Sequence, residues 1–314
     1  MDPLFAYAAL AMLPEAIHLR AKSREEAIEA EFPPEGELLD IEGVQVHALV
    51  RGTGPDLVLI HGSSGNLRDF SFALVDQLAE RYRVIAFDRP GMGHTGRTNY
   101  EGESIFEQAA LLQKAAARLG ADKPIVLGQS YGGCVALAWA VDHPQAVSAL
   151  VLVASATQPW DGPLPPLYRL NSSTLGANIA VPLLTAVVPR SRIEAMTREV
   201  FAPDPMPEGY DRFVGAELAA RREALRANAQ HRASLLGEVR QMQPRYGALT
   251  LPIEMIHGDA DPIVPLDIHG PPFVAQVASA HLEVLSGAGH LPHQTRIPDT
   301  IAAIDRAASR AGLR

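Results

Sequence analysis

Residues 128–132 place a serine between two glycines, in the order Gly-Gln-Ser-Tyr-Gly. The apolar residues 125–127 before this segment are typical of a strand, and residues 134–140 after it are typical of a helix. A sharp strand-to-helix turn with this pattern lifts the serine hydroxyl clear of a sheet. The flanking glycines suit such a turn because a Cβ atom there would clash with nearby backbone. The pattern therefore predicts that Ser130 is a nucleophile.

A serine nucleophile needs a base to remove its proton and a third group to orient that base. In open α/β sheets such groups gather at the carboxyl ends of strands. The predicted strand 253–256 is followed by Asp259 and Asp261. The predicted strand 281–285 is followed by His290 and His293. The chain order of serine, acid and histidine is therefore consistent with a catalytic triad.

Five motifs resemble those of the lidded, serine-nucleophile branch of the α/β-hydrolase fold superfamily, and the resemblance covers residues 37–314. They are His61-Gly62-Ser63, Asp88-Arg89-Pro90-Gly91-Met92-Gly93, the serine turn, Gly258-x-x-Asp261-x-x-Val264-Pro265 and Gly289-His290. The resemblance implies that Asp261 is the acid and His290 the base. Asp259 is then a turn or cap residue, and His293 is expected to face the lid or the surface.

An oxyanion formed during acyl transfer needs hydrogen-bond donors from the backbone. The amide of Tyr131, next to the nucleophile and at the start of the predicted helix, is one expected donor. The resemblance implies the amide of Ser63 as the second donor, with Ser64 as an alternative in the same loop. His61 is expected to orient that loop.

Alternating strand and helix patterns predict an α/β fold with a mostly parallel, twisted sheet and helices on both faces. An antiparallel hairpin is expected at the start of this sheet, in residues 37–50. The predicted strands are 37–41, 44–50, 57–60, 83–87, 125–127, 147–154, 253–256 and 281–285, and the predicted helices of the sheet domain are 67–81, 104–119 and 300–311.

The alternation stops over residues 158–246, which are rich in proline and in helical patterns such as 216–229. We interpret this segment as a helical lid inserted into the sheet domain. The predicted domains are an N-terminal helical extension (1–36), a hydrolase core (37–157 and 247–314) and the lid.

The apolar run 4–13 is followed by Pro14, and a charged helical pattern occupies residues 22–31. Ten residues are too few to span a bilayer. We favour a short helix that packs on the protein surface or on a partner chain. The alternative is an interfacial contact with a membrane.

The charge and the cysteine content of the chain limit its possible binding partners and covalent links. A net charge of −9 without a cluster of basic residues disfavours nucleic-acid binding. The single cysteine, Cys134, excludes an internal disulfide and is expected to be a buried core thiol. We expect a cytoplasmic protein, and the sequence does not indicate its oligomeric state.

The resemblance implies a cofactor-free serine hydrolase with a small-molecule substrate, most simply a carboxylic-ester hydrolase. Related haloalkane dehalogenases and epoxide hydrolases place aspartate where this chain has Ser130, which argues against both. A C–C bond hydrolase usually carries tryptophan soon after the base, whereas Leu291 follows here. That activity, a perhydrolase activity and a non-catalytic ligand-binding role are the alternatives.

The predicted lid carries the available information on the substrate. The nearly apolar segment 175–188 suggests an apolar acyl or alcohol group, or else simple packing between lid helices. One lid arginine would suit a substrate carboxylate, but the sequence does not single one out. The arginines considered are Arg169, Arg190, Arg192, Arg198, Arg212, Arg221, Arg222 and Arg226.

Overall fold

The computed structural model describes the backbone of residues 3–314 and the side chains of residues 14–314. Eight strands of the described chain form one sheet: β1 (Glu37–Ile41), β2 (Val44–Arg51), β3 (Asp56–Ile60), β4 (Arg83–Phe87), β5 (Ile125–Gln129), β6 (Ala149–Val153), β7 (Ile253–Gly258) and β8 (Ala280–Leu285). Their spatial order is β1-β2-β4-β3-β5-β6-β7-β8. Strand β2 is antiparallel to its neighbours β1 and β4, and the other neighbouring pairs are parallel. The predicted fold class is therefore confirmed.

Helices surround this sheet. They are α1 (Pro3–Glu31), α2 (Arg68–Ser71), α3 (Leu74–Ala79), α4 (Ile105–Arg118), α5 (Tyr131–Asp142), α6 (Pro166–Ser172), α7 (Val181–Val187), α8 (Arg190–Val200), α9 (Tyr210–Phe213), α10 (Arg222–Met242), α11 (Leu266–His269), α12 (Pro271–Gln276), α13 (Pro292–Thr295) and α14 (Ile297–Arg310).

The central strands are apolar on both faces because helices cover both faces. In β3, Val58 and Ile60 join the core beneath α4 and α5, whereas Leu57 and Leu59 join the core beneath α3 and α14. Successive side chains of a strand point to opposite sides of the sheet, so a continuous apolar run serves two cores at once.

A helical segment connects β6 to β7. Residues 154–252, all of which the structure describes, contain α6 to α10 and no strand. The C-terminal half of α10 is anchored in the sheet domain, since Leu235, Val239 and Met242 are buried in the core beneath α4 and α5. The helical segment comprises residues 158–246 of this connection.

Two predicted helices are interrupted by residues that make tertiary contacts. The helix predicted over 67–81 is divided into α2 and α3 at Ala73, whose φ is −146°, and Phe72 there packs edge-on against Tyr210. The helix predicted over 216–229 is a 3-10 turn followed by α10. The break lies at Arg221, which has an extended backbone with ψ 149°. The guanidinium of Arg221 forms an ion pair with Glu29 of α1.

Helix α1 continues through Pro14 instead of ending there. Its C-terminal half packs on the helical segment, where Arg20 Nε donates to the carbonyl of Ala186 at 2.9 Å, and Glu25 pairs with Arg222 at 2.6 Å. The packing expected for side chains 4–13 lies outside the described residues. No helix in the described range combines the length and apolarity needed to cross a membrane.

Candidate active site

The predicted nucleophile and the predicted oxyanion loop lie where the strand order of the sheet reverses direction. Strands β3 and β5 are neighbours, but β3 leads to β4 on one side and β5 leads to β6 on the other. The loops that follow β3 and β5 therefore separate and leave a crevice at the carboxyl ends of the strands. Residues 62–65 form one side of this crevice, and Ser130 lies on the other.

Ser130 occupies a strained turn between β5 and α5. Its φ of 52° and ψ of −117° lie outside the helical and extended regions, and its amide donates to the carbonyl of Val153 at 2.8 Å. A Cβ at Gly128 would overlap the carbonyl of Gly132, and one at Gly132 would overlap that of Ile60. Only glycine permits this approach, and non-glycine residues with such backbone angles concentrate at functional sites.

The structure brings three predicted residues into one chain of hydrogen bonds. His290 Nε2 lies 3.0 Å from Ser130 Oγ, and His290 Nδ1 donates to Asp261 Oδ2 at 2.7 Å. The other oxygen of Asp261 accepts the amides of Ile263 and Val264 at 2.8 and 3.0 Å. All three side chains are buried, with Ser130 6% exposed and His290 4% exposed. These contacts hold the imidazole between the hydroxyl and the carboxylate.

The electrostatics of Asp261 favour its charged form. Burial opposes ionisation, but hydrogen bonds from His257 and His290 outweigh it and hold the pKa of Asp261 below its ordinary value. His257 Nε2 also lies 2.7 Å from the carbonyl of Val264. His257 lies near the end of β7 and supports the loop that carries Asp261, a role that no sequence motif indicated.

The structure separates the two competing residues from this chain of bonds. Asp259 is exposed and accepts the amide of Gly287 at 2.6 Å, as a turn residue does. The prediction for His293 was wrong. Its side chain is fully buried, and Nε2 lies 2.9 Å from Asp69 Oδ2. The helix that begins at Pro292 turns His293 inward, where a buried carboxylate needs a partner.

Asp69 connects three parts of the molecule. Besides His293, its carboxylate accepts the hydroxyl of Tyr210 at 2.7 Å and the amide of Gln294 at 3.0 Å. Burial opposes ionisation, but the contacts with His293 and Tyr210 hold the pKa of Asp69 below its ordinary value. This cluster ties α2, α9 and α13 together next to His290. The partners are 141 to 225 residues apart in the chain, so no local pattern indicates it.

The backbone amides expected to bind an oxyanion differ in their contacts. The amide of Ser64 donates to Asn228 Oδ1 at 3.1 Å, and Asn228 Nδ2 donates to Ser64 Oγ at 2.8 Å. The amide of Ser63 makes no hydrogen bond with the part of the chain that the structure describes. Tyr131 begins α5, where amides lack intrahelical acceptors. The contacts thus leave the Ser63 and Tyr131 amides available to a ligand and engage that of Ser64.

A fully buried arginine fixes the loop that carries Ser63. Arg89 Nε donates to the carbonyl of His61 at 3.0 Å, and Nη2 donates to that of Gly62 at 2.9 Å. Its guanidinium lies 4.4 Å from the ring centre of Tyr131. His61 contributes from within the loop, since Nδ1 donates to the Gly62 carbonyl at 2.9 Å and Nε2 accepts the Arg89 amide at 3.0 Å.

Cys134 lies behind the serine turn, out of contact with solvent. Its Sγ is 3.1 Å from the carbonyl of Ala156. Burial raises the pKa of the Cys134 thiol to about 12. A protonated, enclosed thiol is a poor nucleophile, so this residue acts as core packing.

A cavity of about 370 Å³ opens above Ser130 and His290. Helices α7 and α8, with the residue that follows α7, supply much of its apolar wall, through Leu184, Val188, Ile193, Met196 and Val200. From the apolar segment 175–188, Leu184 and Val188 thus face the cavity. Other residues of that segment are exposed, namely Leu175, Ile179, Leu183 and Val187.

The family model of the alpha/beta hydrolase fold matches residues 55–296. The chain therefore belongs to the alpha/beta hydrolase fold family, as its motifs predicted. A pimeloyl-(acyl-carrier protein) methyl ester esterase from Vibrio parahaemolyticus is 28% identical over 258 residues, or 78% of this chain and 90% of that protein. Together the family and this relative define the chain as a hydrolase.

Solved structures resemble this chain in fold. An alpha/beta hydrolase fold protein from Burkholderia ambifaria has a TM-score of 0.70 at 22% identity, covering 86% of this chain and 97% of its own. A meta-cleavage product hydrolase from Pseudomonas fluorescens has a TM-score of 0.64 at 20% identity, covering 88% and 98%. At these identities the likeness concerns the fold alone.

Two buried histidines predict a loss of stability in acid. His61 Nε2 accepts the amide of Arg89, and His269 Nδ1 accepts that of Gln158 at 3.1 Å, so both rings must be neutral. Burial lowers the pKa of each ring from 6.5 to about 4. In the unfolded chain these histidines bind protons below about pH 6.5, whereas in the folded chain they stay neutral until the pH falls to about 4. Stability is therefore complete above pH 6.5 and declines as the pH falls toward 4.

Urea unfolding of wild type and His269→Gln near pH 7 and pH 5 measures this effect. Glutamine keeps an acceptor for the Gln158 amide but does not titrate. We expect the loss of unfolding free energy between the two pH values to be smaller in the variant by about 1–2 kcal/mol. The exposed His18 provides the control, His18→Gln, which should match wild type. Equal losses in wild type and His269→Gln would contradict the expectation.

Proposed function

We propose that this hydrolase cleaves carboxylic esters of small apolar substrates through an acyl-enzyme on Ser130. The observation that carries the proposal is the bonded sequence Ser130 Oγ, His290 Nε2, His290 Nδ1 and Asp261 Oδ2, with separations of 3.0 and 2.7 Å. These are hydrogen-bond distances suited to a nucleophile, a general base and the group that orients the base. The esterase relative supports the same reaction class.

In the proposed reaction, His290 removes the proton from Ser130 as Oγ attacks the ester carbonyl. Asp261 keeps the imidazole proton on Nδ1, so that Nε2 presents its lone pair to the serine, and it stabilises the imidazolium that forms. His290 then gives the proton to the departing alcohol. Water, deprotonated by the same imidazole, releases the acid from Ser130.

The negative oxygen of the tetrahedral intermediate is expected to accept the amides of Ser63 and Tyr131. Asn228 supports this choice by engaging the amide of Ser64 instead. Serine, histidine, aspartate and two amides together supply the nucleophile, the base and the anion stabilisation. The proposed reaction therefore requires no cofactor.

We also propose that the helical segment is a lid on a hydrolase core formed by residues 37–157 and 247–314, with residues 1–36 as a separate extension. The apolar residues that α7 and α8 contribute to the cavity support this division. A wall of this kind suits an apolar acyl or alcohol group.

A panel of 4-nitrophenyl esters from acetate to octanoate tests the proposed function. We expect a burst of 4-nitrophenol equal to the enzyme concentration, followed by a slower steady rate. Intact-mass and peptide analysis should then find the acyl group on Ser130. Turnover of a vinylogous diketo acid, or of peroxide with acetate, in place of every ester would instead identify a C–C hydrolase or a perhydrolase.

Arg89 is expected to position the oxyanion amide of Ser63. Its bonds to the carbonyls of His61 and Gly62 fix the peptide plane whose N–H belongs to Ser63. Lysine does not reproduce this two-carbonyl fork. We expect Arg89→Lys to reduce kcat for 4-nitrophenyl butyrate by about 10- to 100-fold, with KM changed by less than about threefold.

The matched control is Arg83→Lys, in β4 at the amino end of the parallel strands, where Arg83 pairs with Asp56. This variant should keep wild-type kinetics. Both variants are compared below their melting temperatures, with folding checked by circular dichroism. A rise in KM at unchanged kcat in Arg89→Lys would show that Arg89 does not act on the transition state.

A further inference from the structure

The cavity above Ser130 is lined by an arginine that has no hydrogen-bond or ion-pair partner among the described side chains. Within residues 14–314, the lining side chains with formal charge are Asp69 and Arg232. Asp69 is fully engaged by His293, Tyr210 and Gln294. Arg232 is half-buried and makes neither a hydrogen bond nor an ion pair with any side chain or backbone group described for residues 14–314. Its one described interaction is with the ring of Tyr168, whose centre is 5.3 Å from the guanidinium carbon.

Three other arginines of the helical segment bond acceptors outside the cavity. Arg190 pairs with Glu217 at 2.7 Å, and Arg222 pairs with Glu25 at 2.6 Å. Arg226 donates to the carbonyls of Asn171 and Ser173 at 2.7 and 2.6 Å. These side chains hold the segment together or attach it to α1. Arg232 was not among the arginines considered from the sequence, because charge and spacing alone do not show which arginine faces a cavity.

The geometry of α10 places Arg232 on the side of the helix that lines the cavity. Leu225, Asn228 and Arg232 follow the spacing i, i+3, i+7, which places them on one face of a helix. Leu225 lines the cavity, and Asn228 bonds the amide of Ser64 in the oxyanion loop. Arg232 therefore lies one turn beyond Asn228 on the face of α10 that lines the cavity.

The guanidinium of a half-buried arginine whose described neighbours offer no acceptors must take its acceptors from water or from a ligand. A bound anion would supply those acceptors, and a carboxylate matches the planar fork of a guanidinium. The ring of Tyr168, also in the cavity wall, would support the guanidinium from its face. The wall that α7 and α8 contribute is apolar apart from Thr197.

We infer that Arg232, supported by Tyr168, binds a carboxylate at the end of the substrate remote from the ester. The substrate class is an ester that carries a free carboxylate across an apolar spacer, such as the monoester of a dicarboxylic acid. This inference rests on the proposed function, since the ester is the group that Ser130 attacks. It adds to the proposed function that the substrate carries a negative charge, a property that the apolar walls alone do not indicate.

The test compares monoethyl esters of the dicarboxylic acids from glutarate to sebacate with ethyl esters of monocarboxylic acids of the same chain lengths, using a pH-stat. For wild type we expect the best monoester to exceed its neutral counterpart in kcat/KM by about tenfold or more. In Arg232→Gln this ratio should fall by about 10- to 100-fold, mainly through KM for the monoester.

The matched control is Arg169→Gln, an exposed arginine of α6 next to Tyr168 that does not line the cavity. It should keep the wild-type ratio. In Arg232→Glu the preference should move to ethyl esters of ω-amino acids, because the charge of the subsite is reversed. A ratio that stays the same in wild type and Arg232→Gln would overturn the inference and leave Arg232 as packing against Tyr168.

Direct binding separates this inference from the proposed function. Monoethyl suberate is titrated calorimetrically into Ser130→Ala and into Ser130→Ala/Arg232→Gln. Binding weakened about tenfold or more in the double variant supports the carboxylate subsite, even if wild type hydrolyses no ester. Equal binding to both variants, or no binding to either, overturns the inference, whatever the outcome of the ester panel.

Discussion

Replacing Ser130 by alanine is expected to reduce kcat for ester hydrolysis by at least about 10⁴-fold. The substitution removes only Oγ, the atom that lies 3.0 Å from His290 Nε2, and with it the acyl-enzyme route. Residual turnover would come from water activated by His290 beside the oxyanion amides. Steady-state kinetics with 4-nitrophenyl butyrate measure the loss, and the burst of 4-nitrophenol should disappear.

The fold should survive this change. Alanine has the same Cβ and therefore the same backbone strain at φ 52° as serine. A thermal melt followed by circular dichroism should place Ser130→Ala close to wild type. Ser148→Ala, which removes a hydroxyl just before β6, is the matched control and should keep wild-type kcat. Retention of more than about one hundredth of wild-type kcat in Ser130→Ala would exclude Ser130 as the nucleophile.

Local sequence patterns predicted the central elements of this molecule because the relevant interactions are local. The continuous apolar runs of β3 and β5 indicate strands buried on both faces, whatever their neighbours are. Ser130 follows β5 directly, and Asp261 and His290 lie in the loops that follow β7 and β8. In a parallel sheet, residues at those places meet at one edge. The proximity of the three side chains thus follows from strand order, without knowledge of any long-range contact.

The errors concern residues whose environment is supplied by distant parts of the chain. His293 looked free because nothing near it in sequence accepts its proton, whereas its partner Asp69 lies 224 residues away. The predicted helix 216–229 has a break at Arg221, which α1 holds through Glu29. Helix propensity is a weak local preference, so contacts of this kind override it.

The same reason explains why Arg232 could not be selected from the sequence. It shares helix α10 with Arg222 and Arg226. The sequence gives all three the same residue type on the same helix, so it does not distinguish their surroundings. The difference is that Arg222 and Arg226 find acceptors in α1 and near α6, whereas Arg232 faces the cavity. Which acceptors lie within reach depends on how the helical segment docks on the sheet.

Asp261→Asn is expected to reduce kcat by about 10³- to 10⁴-fold near neutral pH, with a small effect on KM. Asp261 Oδ1 accepts two backbone amides, from Ile263 and Val264. In the variant, the single amide oxygen would be retained by those donors, and the NH₂ group would face His290 Nδ1. That nitrogen must then accept, so the imidazole proton moves to Nε2. An imidazole protonated on Nε2 does not take the proton of Ser130.

Asp259→Asn is the matched control, because it makes the same replacement of one carboxylate oxygen by an NH₂ group in the other acidic residue of the same loop. Asp259 is exposed, and an asparagine oxygen still accepts the Gly287 amide, so kcat should change by less than about threefold. Because the pKa of Asp261 is held low, the carboxylate stays charged throughout the pH range of the assay. Wild type and both variants are therefore compared from weakly acidic to alkaline pH. If Asp259→Asn lost activity and Asp261→Asn kept it, the acid would be Asp259, and the bond between Asp261 and His290 would be structural.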